Sequence, residues 1–424
     1  MPVSASDSAA AASDYAAPAG PPPAVLAAAT MPWAAPATLR EVTTLAGARE
    51  FLEFPVRLYQ GDPHYIRPLN QDIEAVFDPV KNRFFRHGQL GRWLLVDARG
   101  QTIGRVAAFI NERTAHTFAQ PTGGLGFFEC IDDQQAADVL LGGARDWLAA
   151  RGMQAMDGPI NFGDRDQWWG LLLDNFGPPL YGQTYNPPYY QRLFETFGFE
   201  VYFNQYTYYR TLAEPLAASY QIKANRLLRN PRYRFEYLKL NQLARYTEDF
   251  RQVYNLAWAR HDGVKELSPE EVAELMKKLR PVLDERLAWF AYHDERPIGF
   301  FISLPELNEI FRHLPDGNLN WLGKLRFAWY RWRGVVRTAT GIVFGVIPEF
   351  QRRGVEAAMT LAAARLIMDR KKMPYEHFVM NWIGDFNPRM MAVAGQIGGR
   401  IWRTHATYRY LFDRTCPFER APAI

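Results

Sequence analysis

The stretch that decides the fold reads Val346-Ile-Pro-Glu-Phe-Gln-Arg-Arg-Gly-Val-Glu-Ala-Ala-Met359. The apolar run that ends at Pro348 predicts a strand, and the pattern from Val355 to Arg370 predicts an amphipathic helix. A helix start directs free backbone N–H groups and the positive end of its dipole at an anion, and Gly354 lets that anion come close. The turn therefore predicts a phosphate site. The simpler interpretation is an ordinary strand-to-helix turn with solvated arginines.

The elements around this turn occur twice along the chain. Two strands joined by a tight polar turn run from Trp93 to Ile110 and again from Leu287 to Leu304, and each second strand opens on Ile-Gly. The same order follows each hairpin: a strand, an amphipathic helix, a strand, an Asn-Pro helix start and a closing aromatic strand. A shared order of six elements indicates an internal repeat.

The repeat predicts an α/β fold made of two tandem copies, copy one at 39–212 and copy two at 245–414. A partly helical linker at 213–244 joins them, and copy two carries an insertion at 305–340. Residues 1–38 are rich in Ala, Pro and Ser, which predicts a disordered leader. Residues 415–424 form a short tail.

The order of strand, Q-x-x-G turn, helix, strand and Asn at a helix start resembles the GNAT acyltransferases. The resemblance implies two tandem GNAT folds, each with a mixed sheet flanked by helices, and an acyltransferase that depends on acyl-CoA and needs no metal. The phosphopantetheine arm of acyl-CoA, acetyl-CoA or an acyl carrier protein would lie between the strands ending at Ile347 and Ile383. A backbone N–H at Val346 or Ile347 would polarise the thioester carbonyl. The residues implied to bind the donor are Val346, Ile347, Gln351, Arg352, Arg353, Gly354, Val355 and Asn387.

Two positions depart from the GNAT pattern. Glu356 stands where these enzymes carry Gly or Ala, and a carboxylate beside a pyrophosphate is repulsive unless it turns away or pairs with a basic group. Ala394 stands where many of them carry a Tyr that protonates the leaving thiolate. A thiol with a pKa of about 8.5 is a tolerable leaving group, so the second departure weakens the prediction without ending it.

Copy one lacks the glycine turn, and the acidic run Glu129-Cys-Ile-Asp-Asp133 stands in its place. This run argues against a second donor site, so we predict that copy one shapes the acceptor site. Two of its loops combine aromatic side chains with a few polar groups, which suits a ligand pocket. An aromatic seam between domains is the alternative. The candidate pocket residues are Glu129, Asp164, Trp168, Asn186, Tyr189 and Tyr190.

A closer resemblance rests on four segments: Gly-Phe-Phe-Glu-Cys-Ile-Asp-Asp133, Gly-Pro-Ile-Asn-Phe162, Asn-Pro-Pro-Tyr-Tyr190 and Trp382-Ile-Gly-Asp-Phe-Asn387. Together they resemble one bacterial family of tandem-GNAT proteins that is related to bacterial ceramide synthases. The match runs from about Glu41 to Phe412, and the family also tends to carry an acid at the Glu356 position. The resemblance implies acyl transfer to an amine, with a long acyl chain and a sphingoid-type lipid amine as its most specific form.

The insertion carries a stretch, residues 320–337, that mixes tryptophans with five basic residues and no acid. A helix of this composition suits a membrane interface, with its cations directed at anionic headgroups, and predicts peripheral contact with the inner membrane. The alternative is a helix packed over the acceptor cleft. RNA is a third interpretation, but no RNA-binding motif accompanies the patch, so no nucleic acid partner is predicted.

Bulk properties agree with a cytoplasmic protein. The net charge is a modest +4, and the two cysteines, Cys130 and Cys416, stand far apart, which excludes a disulfide framework and a zinc motif. No apolar run reaches the roughly 18 residues that span a bilayer. The first basic residue is Arg40, which disfavours a secretory signal or a transit peptide.

The leading hypothesis is direct attack of an amine on the thioester. At pH 7 an amine with a pKa of about 10 is protonated, so a base or a water relay must remove a proton. The candidate bases are Asp385 and His261, and we expect Asn387 to orient the pantetheine arm or the acceptor.

Three alternatives stay open. They are a short-chain N-acetyltransferase acting on a small soluble amine, a transferase using aminoacyl-tRNA, and a non-catalytic thioester or lipid sensor. The absence of a basic coiled-coil arm disfavours the second, and Glu356 and Ala394 favour the third.

Overall fold

The computed structural model describes residues 32–258, 266–367 and 373–423. The first 31 residues of the predicted leader, and His261, lie outside the described residues. The strands are β1 (Thr38–Glu41), β2 (Gly88–Val96), β3 (Thr102–Asn111), β4 (Thr122–Cys130), β5 (Ala155–Gly158), β6 (Leu171–Leu172), β7 (Glu200–Thr211), β8 (Tyr233–Tyr237), β9 (Ala288–His293), β10 (Arg296–Pro305), β11 (Thr338–Val346), β12 (His377–Gly384) and β13 (Arg400–Leu411).

The helices flank one sheet that contains all of these strands. They are α1 (Leu45–Leu58), α2 (Asn70–Phe77), α3 (Glu112–Ala115), α4 (Gln134–Ala149), α5 (Tyr189–Phe197), α6 (Ala218–Leu228), α7 (Leu243–Trp258), α8 (Pro269–Leu279), α9 (Asn308–Phe311), α10 (Trp321–Trp332), α11 (Val355–Ile367) and α12 (Pro388–Gln396). The α/β class and the sequence of elements predicted from the repeat are both confirmed.

The strand order shows that the two copies exchange their last strands. Along the sheet it reads β1-β2-β3-β4-β5-β13-β7-β12-β11-β10-β9-β8, with β6 also paired to β13. β13, which ends copy two, lies against β5 of copy one, while β7, which ends copy one, lies against β12 of copy two. β7 and β13 pair with each other in the middle. Neither copy therefore completes its sheet with its own chain.

Each half of the sheet also begins with a short strand that the repeat in the sequence did not include. β1 pairs with β2 in copy one, and β8 pairs with β9 in copy two. β8 lies inside the stretch predicted as the linker, so only its first part, which contains α6, precedes the sheet of copy two.

Buried contacts fasten the exchanged β13 to copy one. Ala406, Tyr408 and Tyr410 join the hydrophobic core of copy one. Arg409 makes two hydrogen bonds, of 2.7 and 2.9 Å, to the carboxylate of Asp157 on β5. Arg403 is fully buried, and its guanidinium donates to backbone carbonyls of the copy-one loop at 175–178. Because unsatisfied buried charge is costly, these paired arginines fix the register of the exchange.

The helix starts follow from local capping. The Asn387 side chain accepts from the Met390 N–H with Pro388 in the first turn, and Asp133 and Asn320 cap α4 and α10 in the same way. In the part of the chain that the structure describes, no helix is both long enough and apolar enough to cross a membrane.

Candidate active site

The parallel strands β11 and β12 separate part of the way along, which opens a gap in the sheet of copy two. They pair only from Thr338 with His377 to Gly341 with Met380. Beyond Met380 the register of β12 on β7 shifts, while β11 continues beside β10 alone. Ile342, the first residue past the last pair, is 51% exposed. We call the space between residues 342–346 and 381–384 the donor gap.

The backbone amide of Val346 points into the donor gap. The Ile347 N–H donates to the Ile298 carbonyl at 3.0 Å, across to β10. Because N–H groups alternate in direction along an antiparallel strand, the Val346 N–H points the other way, towards β12. The Val346 carbonyl accepts from the Gln351 side chain at 2.9 Å. The family resemblance implied the backbone N–H of either Val346 or Ile347. The N–H of Val346 is therefore the one that can polarise a carbonyl in the gap.

The turn at 351–354, which we call the phosphate turn, lies at the mouth of the donor gap. Arg352 and Gly354 have positive φ angles of 61° and 87°, and a Cβ at Gly354 would have nothing within 4 Å. Residues 351–353 are exposed. The turn leads directly into α11, so it combines an open approach with the N–H groups of a helix start. Gln351 turns back to Val346, which leaves Arg352 and Arg353 as its side-chain donors.

The carboxylate of Glu356 lies on this same turn. Burial raises the pKa of this carboxyl, although the backbone N–H groups of Arg352 and Glu356 act to lower it. Burial, together with the neighbouring Glu356 charge, also raises the pKa of Tyr220 on α6 to about 12. The side chain thus lies near N–H groups that a phosphate would use.

The equivalent slot in copy one is closed. Cys130 occupies the place of Val346, since Gly104 pairs with Cys130 as Gly299 pairs with Val346. The Cys130 N–H donates to the Tyr190 hydroxyl at 2.8 Å. The gap between β4 and β5 is filled by residues 158–162, so that a Cβ at Gly126 would lie 1.9 Å from a backbone oxygen. A pantetheine arm has no space there.

Copy one instead holds a cavity of about 80 Å³ that opens to solvent. It lies between α1, α2 and the sheet of copy one, and α9 of copy two closes one wall. Of the predicted pocket residues, four line this cavity: Glu129, Trp168, Asn186 and Tyr190. Asp164 does not line it, because it is exposed and paired with Arg83 at 2.8 Å. Tyr189 donates to the Cys130 carbonyl at 2.7 Å instead.

The lining of this copy-one cavity is mostly apolar, and its polar residues include two hydrogen-bonded groups. Glu129 forms a buried ion pair with Arg105, and the Tyr181 hydroxyl donates to Asp72 at 2.9 Å. Burial raises the pKa of Asp72. The sequence pattern did not point to Arg105, Asp72 and Tyr181. Arg105 could have been found, since an arginine inside an otherwise apolar strand needs a buried partner.

A smaller hollow links the copy-one cavity to β12. It shares Trp168, Gly182 and Gln183 with the cavity and is also lined by Asn381 and Trp382 of β12. The Gln183 side chain donates to Asn381 at 2.6 Å. His405 also faces this hollow, and burial together with the Arg403 charge lowers its pKa to about 3, so it is a neutral imidazole. The cavity thus reaches the strand that borders the donor gap.

Two of the predicted catalytic side chains, Asp385 and Asn387, are already engaged in local contacts. Asp385 accepts from Arg420 of the C-terminal tail at 2.6 Å, and Asn387 caps α12 through a 3.1 Å bond from the Met390 N–H. Ala394 is fully buried against Tyr208 and Ile383. Among the described residues, no group of three or more His, Cys, Asp or Glu could hold a metal ion.

Comparison with known proteins defines the class. No protein-family model matches the chain. A solved tandem GNAT protein from the clavulanic acid biosynthesis pathway aligns with a TM-score of 0.51 over 91% of this chain and 100% of its own, at 10% identity. The architecture is therefore the tandem GNAT fold, as the sequence predicted.

The curated relatives are more specific. Bacterial ceramide synthase of Caulobacter vibrioides is 27% identical over 374 residues, which cover 87% of this chain and 95% of the relative. Protein YghO of Escherichia coli is 26% identical over 371 residues, which cover 85% and 92%. The chain thus has the tandem GNAT fold and is similar in sequence to bacterial ceramide synthase.

Proposed function

We propose that this protein is an N-acyltransferase that moves an acyl group from a phosphopantetheine thioester to the primary amine of a long-chain, sphingoid-type lipid. The observation that carries the proposal is the Val346 N–H, which faces an open gap beside the phosphate turn. Its counterpart at Cys130 is bonded to Tyr190. One donor site per chain follows from this asymmetry.

The reaction needs no covalent enzyme intermediate. The neutral amine attacks the thioester carbonyl carbon, and the Val346 N–H stabilises the oxyanion that forms. The C–S bond then breaks and the C–N bond remains, while the nitrogen gives up one proton to solvent and the thiolate takes one from solvent. The amine must first lose a proton, for which His261 stays a candidate. Asp385 is the weaker candidate, because Arg420 already holds its carboxylate.

The lipid acceptor is supported by the copy-one cavity. Its apolar lining, with the Arg105–Glu129 pair at one place and Asp72 at another, suits a molecule with one long apolar part and a polar head. The hollow past Trp168 and Gln183 leads from there to β12, the strand that borders the donor gap. The name of the Caulobacter relative points to the same class of acceptor.

A long donor chain is the second part of the proposal. Each buried methylene contributes about 0.8 kcal/mol, so lengthening the acyl group from acetyl to palmitoyl adds several kcal/mol even when burial is incomplete. We therefore expect palmitoyl transfer to exceed acetyl transfer in kcat/KM by orders of magnitude.

A non-catalytic thioester or lipid sensor is the second candidate. One observation favours it: the carboxylate of Glu356 lies near N–H groups of the phosphate turn. A sensor binds the thioester without releasing thiol, whereas an enzyme releases one thiol for each amide formed.

The deciding experiment supplies acetyl and palmitoyl thioesters of CoA and of an acyl carrier protein to the purified chain. Sphinganine and a small soluble amine serve as acceptors, with thiol release and product mass as readouts. Palmitoyl transfer to sphinganine supports the proposal. Faster acetyl transfer to the soluble amine contradicts the lipid assignment, and binding without thiol release identifies a sensor.

A further inference from the structure

Helix α10 in the insertion presents a broad apolar surface to solvent. Trp321 and Trp332 are 69% and 81% exposed, and three more large apolar side chains on the same helix are exposed as well. At about 100° per residue, these five fall within an arc of about 100°. We call this surface the tryptophan face, and its members are Trp321, Leu322, Leu325, Trp329 and Trp332.

The opposite side of α10 is packed firmly on copy two. Phe327 contacts Phe311 with ring centroids 5.8 Å apart, and Tyr330 stacks on His313 at 4.1 Å. The Arg331 guanidinium donates to the Leu283 carbonyl at 3.0 Å. The helix is therefore held by its inner side, and the tryptophan face is turned outwards by the fold.

The charge around the tryptophan face has one sign. No acidic residue occurs between Asp316 and Glu349 in the sequence. Lys324, Arg326 and Arg333 are exposed, and at helical spacing they border the apolar arc on both sides. A continuous apolar strip with cations along its edges complements the acyl chains and anionic headgroups of a bilayer surface.

The inner side of α10, behind the tryptophan face, packs against the wall of the copy-one cavity. Phe311, which Phe327 of α10 contacts, is part of the cavity wall. The loop that leads into α10 is tied to Asn70, another wall residue, by a 2.8 Å bond from the Asn70 N–H to the Gly317 carbonyl. A surface that binds the tryptophan face is therefore brought close to this cavity.

We propose that the tryptophan face docks this protein on an anionic phospholipid bilayer. The docking requires neither donor nor turnover, so it goes beyond the proposed acyl transfer and can be measured without it. Its use rests on the proposed function: with the cavity beside the membrane, a long-chain amine enters from the leaflet and avoids the aqueous phase. A second copy of this chain is the competing occupant of the face.

The test is co-sedimentation of the full chain with vesicles of phosphatidylcholine alone and of phosphatidylcholine mixed with phosphatidylglycerol. We expect binding to the mixed vesicles that weakens as salt is added, because surface charge is screened. The triple variant W321A/W329A/W332A should bind at least about tenfold more weakly, since it removes the apolar contact. The matched control is L45S/I222S, which alters exposed apolar residues elsewhere.

A second pair of variants tests the charges. At about 1 kcal/mol per cation, K324Q/R326Q should weaken binding to the mixed vesicles about thirtyfold. The control K223Q/R226Q removes two exposed cations from α6 and should not weaken it.

Equal binding by the triple variant and its control contradicts the proposal. So does a wild-type dimer in solution that the triple variant converts to a monomer, because the second copy would then be the occupant. Vesicle binding without acyl transfer would count against the proposed function and leave the docking intact. Acyl transfer without vesicle binding would contradict the docking and leave the proposed function intact.

Discussion

The Tyr190 hydroxyl accepts a 2.8 Å hydrogen bond from the backbone N–H of Cys130, the copy-one counterpart of the Val346 N–H that faces the donor gap. The equivalent backbone amide thus has a different environment in each copy. In copy one a side chain satisfies it, and in copy two it is directed at an open space. Under the proposed function, we therefore expect donor binding in copy two and acceptor binding in copy one.

Replacing Tyr190 tests whether the hydrogen bond of the Cys130 N–H stabilises the fold. Tyr190→Phe leaves the Cys130 N–H buried without its acceptor, which should cost about 1–3 kcal/mol of unfolding free energy in urea titration. It should not create a second donor site, because residues 158–162 still fill the slot. Gain of a second bound donor in this variant would show that Tyr190 alone closes copy one.

Glu356 should weaken donor binding through its charge. Glu356→Gln removes the negative charge from the phosphate turn, and we expect CoA thioesters to bind about tenfold more tightly, equivalent to about 1.4 kcal/mol. Acyl carrier protein should gain less, because it presents a single phosphate. Titration calorimetry measures both. The matched control is Glu349→Gln, which changes an exposed carboxylate just before the turn.

The same residue predicts a pH dependence. Burial raises the pKa of Glu356, so protonation removes the competing charge and CoA binding should strengthen as the pH falls through that pKa. The Gln variant should lose this part of the dependence. Parallel pH profiles for the wild type and Glu356→Gln would contradict a role for the carboxylate in the turn.

Glu309 should make stability depend on pH. Burial, with a contribution from the Glu306 charge, raises the pKa of Glu309 to about 7. A carboxyl whose folded pKa exceeds its unfolded value stabilises the fold below the unfolded pKa, and this stability is lost as the pH rises through about 7. Over that range the unfolding free energy should fall by about 3 kcal/mol, at about 1.36 kcal/mol per pKa unit.

The control for this prediction is a pair of isosteric variants. Glu309→Gln should flatten the dependence between about pH 5 and about pH 8, and Glu274→Gln, at an exposed site on α8, should not change it. Urea unfolding across the pH range is the measurement. An unchanged slope in Glu309→Gln would show that another group titrates.

The exchanged strand predicts a strong coupling between Asp157 and Arg409. Arg409→Met leaves Asp157 buried without its partner and should cost about 3–5 kcal/mol of unfolding free energy. The double variant D157L/R409M should recover much of that loss, because no buried charge remains. Additive losses in the double-mutant cycle would show that the pair does not hold β13 on copy one.

The features that depend on local sequence patterns could be predicted from the sequence. The repeat, the phosphate turn and the helix at 320–337 follow from periodicity, glycine and composition. Exchange of β7 and β13 could not be predicted, because two aromatic strands of similar pattern do not reveal their neighbours. The engagement of Asp385 by Arg420 depends on where the tail folds. The Asn-Pro pair predicts that Asn387 caps a helix, whereas the family resemblance implied that Asn387 orients the pantetheine arm or the acceptor.

The most direct test of the account is calorimetric titration with a non-hydrolysable palmitoyl-CoA analogue. Gly354→Trp fills the open approach to the phosphate turn, and Gly100→Trp is the matched control, since both glycines have positive φ angles and open surroundings. We predict one donor bound per chain in the wild type and in Gly100→Trp, and none in folded Gly354→Trp. Two donors per chain, or unchanged affinity in folded Gly354→Trp, would contradict a single donor site between β11 and β12.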